Sequence, residues 1–225
     1  MISDNLQKVR QEIQNSCALV SRNSDEVTLV GVTKSVDSSK MKELYDLGLS
    51  VFAENRVDVL LRKQAELIDY PKIEWHFIGH LQRRKVKDVI NRIDYFHALE
   101  SLKLAAEIQK RANHIIRCFV EVNVSGEVSK QGLRPEEVRS FIKELANYDK
   151  IEVVGLMMMA PYDSTKEEQR AYFTQLKKLQ EEIHAQNDSN EPCTQLSMGM
   201  SNDYQVAIEV GATYVRVGSA LFEEE

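Results

Sequence analysis

The chain has 225 residues, 43% of them hydrophobic, which is enough to bury the core of one large domain or two small ones and excludes disorder as the main state. Its 29 Lys and Arg against 35 Asp and Glu leave a net charge of −6 without a basic stripe, which excludes a nucleic-acid clamp. Cys17, Cys118 and Cys193 are widely spaced and form no CxxC pair, as expected for reduced thiols in a cytoplasmic protein.

The amino terminus runs straight into charged residues, so no secretory signal is expected. An amphipathic helix is predicted over residues 5–20, within about residues 3–22. Eight β-branched apolar runs then follow, with strands expected to begin near residues 28, 50, 75, 94, 117, 152, 195 and 213. Amphipathic helices are predicted between them over 39–47, 56–67, 102–112, 135–146 and 166–185, with Pro135 at the first helical position ahead of Glu136 and Glu137. The longest apolar run, 153–160, contains Gly155 and stops at Pro161, far short of the roughly 20 residues a membrane helix needs. It reads as a buried strand, and neither export nor a membrane anchor is expected.

Near-continuous apolar strands suggest a parallel sheet covered on both faces. Eight strand-helix units fit a single (β/α)8 barrel of the TIM type over residues 1–225, with the first helix as an addition outside or across it. An open doubly wound sheet is the alternative, weakened because no GxGxxG follows any strand.

In such a barrel the chemistry sits just after the carboxyl ends of the strands. Those positions hold Thr33-Lys34-Ser35, Glu54-Asn55-Arg56, Gly79-His80-Leu81-Gln82 and Asn123-Val124-Ser125-Gly126, then Met157-Met158-Met159-Ala160-Pro161, Ser197 to Asp203, and Arg216-Val217-Gly218-Ser219. Lys34 directly follows an apolar run, where its ammonium group would have little room to reach water. Desolvation lowers a lysine pKa, and a neutral amine attacks aldehydes. The alternative is a surface lysine at a strand end.

Ser201 and Gly218-Ser219 lie in the last two loops, where barrels commonly hold phosphate and where small residues bring backbone N–H groups close to an anion. An amine and a phosphate cup together suggest pyridoxal 5'-phosphate (PLP), which carries an aldehyde and a phosphate on one ring. Arg216, flanked by Val215 and Val217, is a candidate partner for the ring nitrogen; the alternative is an arginine paired with a carboxylate inside the barrel. Lys130 is a lesser candidate for a second reactive amine, against a solvated loop lysine. His76 and His80 lack a third ligand, so no metal site is expected. The three methionines read as packing, with one side chain a candidate to line the mouth.

These motifs, in this order, closely resemble the YggS/PROSC family of pyridoxal phosphate homeostasis proteins. The resemblance runs from Val27 to Phe222 through Gly31-Val32-Thr33-Lys34, Glu54-Asn55-Arg56, Trp75-His76-Phe77-Ile78-Gly79, Leu196-Ser197-Met198-Gly199-Met200-Ser201 and Val215-Arg216-Val217-Gly218. Ala53, Arg83-Arg84 and Met158 depart from the family's usual residues without removing a proposed contact. The resemblance implies a barrel like the amino-terminal domain of alanine racemase, with Lys34 as the aldimine lysine. It also implies that Ser201, Gly218 and Ser219 hold the phosphate, Asn55 lies beside the ring and Arg216 near its nitrogen.

Racemisation needs acid-base groups on both faces of the substrate. In alanine racemase the second is a tyrosine from another domain, for which 225 residues are expected to leave no room, and no tyrosine in the chain, Tyr204 and Tyr214 included, lies in an evident strand-end loop facing Lys34. An arginine at the ring nitrogen also keeps it unprotonated and weakens the electron sink. The expectation is therefore a monomeric carrier that supplies PLP, with PLP-dependent apo-enzymes as candidate partners and no assigned catalytic residue. A single-domain racemase or lyase is the alternative, and a cofactor-free barrel enzyme acting on a phosphorylated sugar is a third reading.

Overall fold

Apolar runs that are covered on both faces can pair side by side until the first meets the last, and this chain does so. In a computed structural model, which describes residues 1–128, 131–186 and 191–224, the strands pair in chain order to form a closed parallel barrel. They are β1 (Thr28–Val32), β2 (Val51–Glu54), β3 (Glu74–Phe77), β4 (Tyr95–Leu99), β5 (Ile116–Glu121), β6 (Ile151–Met157), β7 (Gln195–Ser197) and β8 (Tyr214–Val217). Each begins within one residue of its expected position.

The expected helices are present as α1 (Ile2–Leu19), α2 (Ser38–Asp46), α3 (Val57–Glu66), α5 (Leu102–Arg111), α6 (Pro135–Leu145) and α7 (Lys166–Gln186). Pro135 opens α6 as expected, and Glu137 accepts from the Arg134 backbone N–H at 3.0 Å. The sequence periodicity is too short to mark three further helices, α4 (Val86–Val89), α8 (Tyr204–Val210) and α9 (Ser219–Phe222). In the β3–β4 connection, Val86, Val89, Ile90 and Ile93 are all buried, but they make only single turns.

Helix α1 lies outside the barrel and buries Ile2, Leu6, Val9, Ile13 and Cys17 along one face, at the three- and four-residue spacing of an amphipathic helix. It holds the last units of the barrel: Asn5 donates to the Leu221 and Glu223 carbonyls and Glu12 accepts from Tyr204, while Arg22, just beyond the helix, donates to the Ile208 carbonyl. The three cysteines are free and buried. Among the described residues no helix is long and apolar enough to cross a membrane.

Strand register fixes which side chains enter the barrel. Contacts among His97 of β4, Ser197 of β7 and Arg216 of β8 can only cross the interior, so Arg216 points inward; its register partner Val30 does too. Val30, Val32 and Ala53 form a small apolar cluster separate from the main core, which fills the space between strands and helices. The rest of the lumen is polar and aromatic, with His76 stacked on Tyr95 and His97 on Phe119.

Candidate functional site

The six candidate residues fall on β7, β8, β1 and β2, four consecutive staves at the carboxyl end of the barrel. Ser201, Gly218 and Ser219 come together. The Gly218 and Ala220 backbone N–H groups both donate to Ser201 Oγ, at 3.3 and 3.1 Å. The β7 loop turns through Gly199 at φ +104°, where a Cβ would meet Ala207 Cβ at 2.8 Å, so a glycine is needed there. Its carbonyl accepts from the Arg216 backbone N–H at 2.9 Å, which ties that loop to β8.

Lys34 stands in the turn after β1, beside this cup, because β1 and β8 pair through Gly31 and Val217. The expectation that it is shielded from water is overturned. β1 ends at Val32, and the turn lifts Lys34 above the strand ends, where it is exposed. What is buried is the support behind it. Lys63 Nζ on α3 donates to the Thr33 carbonyl at 2.6 Å and to Glu54 Oε2 at 3.0 Å, and the Thr33 hydroxyl donates to the same carboxylate oxygen. Glu54 Oε1 has no hydrogen-bond partner among the described residues. This ion pair, with side chains only 1% and 0% exposed, clamps the residue preceding Lys34 from outside the barrel wall.

The sequence reading missed Lys63, although a signal was there: it lies three residues after Leu60 and four before Leu67, on the buried face of its helix. Asn55, exposed after β2, is placed by the neighbouring loop. A Cβ on Gly79 would come within 2.4 Å of the Asn55 carbonyl oxygen, so only glycine allows the loops to close. A cavity of about 400 Å³ opens there, between Asn55, Arg56, His80, Gln82 and Lys85. A larger groove of about 980 Å³ holds none of the six candidates; it lies among Leu61, Ile68, Ile73, Asn91 and His114, around the amino ends of β3 and β4.

Arg216 is buried below the cup. It donates from Nη2 to the Met158 carbonyl at 3.0 Å and from Nη1 to Ser197 Oγ, so its hydrogen-bond partners among the described residues include no carboxylate. Burial lowers its pKa to about 10, a shift partly offset by Asp203 and Glu121. Burial, and next the neighbouring Glu100, raise Glu121 to about 7, against the pull of Arg216. Asp203 is also raised by burial, which outweighs a hydrogen bond from the Met200 N–H and the attraction of Arg216.

The other expectations separate in space. His76 is buried in the lumen, whereas His80 is exposed beside Glu100, its Nδ1 3.3 Å from a carboxylate oxygen. Met157 and Met158 are buried, and Met159 is exposed at the mouth. Tyr204 donates to Glu12 and Tyr214 to Tyr95. Lys130 lies outside the described residues.

The family model described as "Alanine racemase, N-terminal domain" matches residues 2–225. A pyridoxal phosphate homeostasis protein of Aquifex aeolicus is 41% identical over 224 residues, covering 98% of this chain and 97% of the relative. Another, from Pseudomonas aeruginosa, is 33% identical, covering 98% and 94%. The solved structure of Synechococcus elongatus PipY with PLP bound has a TM-score of 0.88 at 30% identity, over 99% of this chain and 100% of PipY. Alanine racemase from Corynebacterium glutamicum shares the fold, with a TM-score of 0.74 at 13% identity over 100% of this chain and 61% of that enzyme.

Proposed function

The chain belongs to the alanine racemase N-terminal-domain family, among its pyridoxal phosphate homeostasis proteins, and on that premise we propose that it binds PLP at the carboxyl end of its barrel and holds it for supply within the cell. One observation carries this reading: the backbone N–H groups of Gly218 and Ala220 converge on a single oxygen, Ser201 Oγ, beside the strand that ends at Lys34. Donors gathered on one oxygen are the arrangement a phosphate oxygen needs, so the residues present fit the group.

PLP supplies an aldehyde, a phosphate and a ring nitrogen. Ser201, Gly218 and Ser219 would hold the phosphate, Lys34 would supply the amine for the aldehyde, and Asn55 would lie beside the ring. Arg216 has N–H groups beyond the two committed to Ser197 and Met158, and one of them would be the donor to the ring nitrogen. A guanidinium keeps its own protons, so the ring nitrogen stays an acceptor, which suits holding the cofactor better than carbanion chemistry. The Tyr204 and Tyr214 hydroxyls are engaged elsewhere in the fold, which supports the same reading. The working unit is one barrel domain over residues 1–225, acting as a cytoplasmic monomer, and its recipients are apo-enzymes that use PLP.

Reconstitution with PLP should give a visible absorption band, and borohydride reduction followed by peptide mass spectrometry should place the adduct on Lys34. No band, or a band that survives Lys34→Ala, overturns the reading. Exchange of α-deuterium on added amino acids tests the enzyme alternative, with Tyr162, exposed in the loop after β6, as the tyrosine to substitute. Robust exchange lost in both Lys34→Ala and Tyr162→Phe would make the protein a racemase.

A further inference from the structure

Four hydrogen bonds join Arg216 to the opposite end of the barrel. Arg216 Nη1 donates to Ser197 Oγ, and Ser197 Oγ lies 2.8 Å from His97 Nδ1. His97 Nε2 lies 2.7 Å from His76 Nδ1, and His76 Nε2 lies 2.7 Å from Glu74 Oε1. His76, His97, Ser197 and Arg216 are buried, whereas Glu74, the first residue of β3, has a side chain 39% exposed. The sequence marks none of these links, and packing alone does not require a polar column through a lumen that apolar side chains fill elsewhere.

The chemistry of the two ends fixes every proton between them. A guanidinium only donates and a carboxylate only accepts. The His76 hydrogen bond holds Glu74 below the usual carboxylate range, while burial holds both imidazoles below theirs and therefore neutral. With Glu74 ionised, His76 must carry its hydrogen on Nε2. Its bare Nδ1 then accepts from His97 Nε2, and the bare His97 Nδ1 accepts the Ser197 hydroxyl hydrogen, leaving Ser197 Oγ to accept from Arg216. All donors point from the mouth to the base. A group at position 74 that only donates, such as an ammonium, satisfies the links only in the reverse order, with both hydrogens on Nδ1 and Ser197 Oγ accepting from His97 and Arg216 together.

We propose that Glu74, His76, His97 and Ser197 are positioning residues for Arg216: the carboxylate at the base of the barrel sets the tautomers of both histidines and so whether Ser197, by donating onward to His97, accepts more strongly from the guanidinium and holds it at the mouth. The column stands on the hydrogen bonds alone; its consequence for PLP rests on the function proposed above. Other groups face it from the neighbouring strands. Arg117 of β5 and Tyr214 of β8 act on Glu74 or are acted on by it, and Asp94, just before β4, acts on His76. Tyr95 stacks on His76 at 4.4 Å and Phe119 on His97 at 4.5 Å, so each imidazole has an aromatic face packed against it.

Long-range proton-nitrogen spectra of the chain without cofactor, labelled with ¹⁵N at histidine, test the column directly. At pH 7.5 both His76 and His97 should be protonated at Nε2 and bare at Nδ1; a hydrogen on Nδ1, a tautomeric average or an imidazolium at either ring overturns it. Glu74→Lys should move both hydrogens to Nδ1, and Glu74→Asp should restore the native pattern. Should the lysine variant fail to fold, Glu74→Gln, whose amide can donate or accept, should give a mixture at His97, two hydrogen bonds away. An unchanged His97 in the folded variant shows that Glu74 is merely structural and overturns the proposal. With PLP added, Glu74→Lys should weaken retention about fivefold or more. Unchanged retention beside shifted tautomers overturns the positioning role while leaving the carrier reading intact. If the native chain does not take up PLP, the carrier reading fails, and the tautomer shift alone decides whether Glu74 governs the column.

Discussion

Along β1 and β2 the lumen is lined by Val30, Val32 and Ala53, and the charged groups, Glu54 and Lys63, stand behind the wall against α3. Along β3, β4, β7 and β8 the order is reversed: His76, His97, Ser197 and Arg216 fill the lumen. Apolar side chains gain free energy from any close-packed neighbour, whereas each buried polar atom needs a particular partner. The first half therefore tolerates imperfect fit but says little about function, while the second fixes a geometry that delivers one arginine to the mouth. Both halves meet at the candidate site, one supporting Lys34 from behind and the other Arg216 from below.

The sharpest way to break this contrast is Lys63→Met, which leaves Glu54 buried without its cation. Denaturation in urea should show a loss of about 3–5 kcal/mol, and Glu54→Gln in the same chain should recover part of it. Ser197→Ala comes next, because Arg216 and His97 both lose a partner; we expect about 1–3 kcal/mol. Val30→Ala removes two methyl groups from the dry half and should cost about 1.5 kcal/mol while leaving the histidine nitrogen spectra unchanged.

Stability should also depend on pH, through two kinds of buried group that oppose each other. Burial holds His76 and His97 below the ordinary imidazole value of 6.5 in the folded chain, so their stabilisation is complete above that pH and is lost as pH falls toward the folded values. Glu121 acts in the opposite sense. Its pKa is raised from 4.5 to about 7, so its contribution is full below 4.5 and is lost as pH rises through 7. Glu121→Gln should therefore steepen the rise in melting temperature between pH 5 and 7.

The barrel was legible because strand and helix periods are local: each of the eight apolar runs stands apart from its neighbours in the sequence, and the loops after them could be read in turn. Lys34, Ser201, Arg216 and Gly218 followed from that order. The exposure of Lys34 did not, because it depends on where β1 stops relative to its turn. Lys63 left a trace as a lysine on a buried helical face. His97 and Ser197 left none, since the bond between them spans 100 residues and arises only when the barrel closes.

The grip of α1 on the far end of the chain has a consequence for biosynthesis. Asn5 and Glu12 find their partners 216 and 192 residues later, at Leu221 and Tyr204. On the ribosome the first helix thus emerges, with α2 soon after it, long before α8 and α9 arrive to complete the cover of its apolar stripe. The same proximity makes the barrel a good subject for circular permutation: joining residues near 1 and 223 and opening a distant loop would let α1 be made beside its partners, removing that wait.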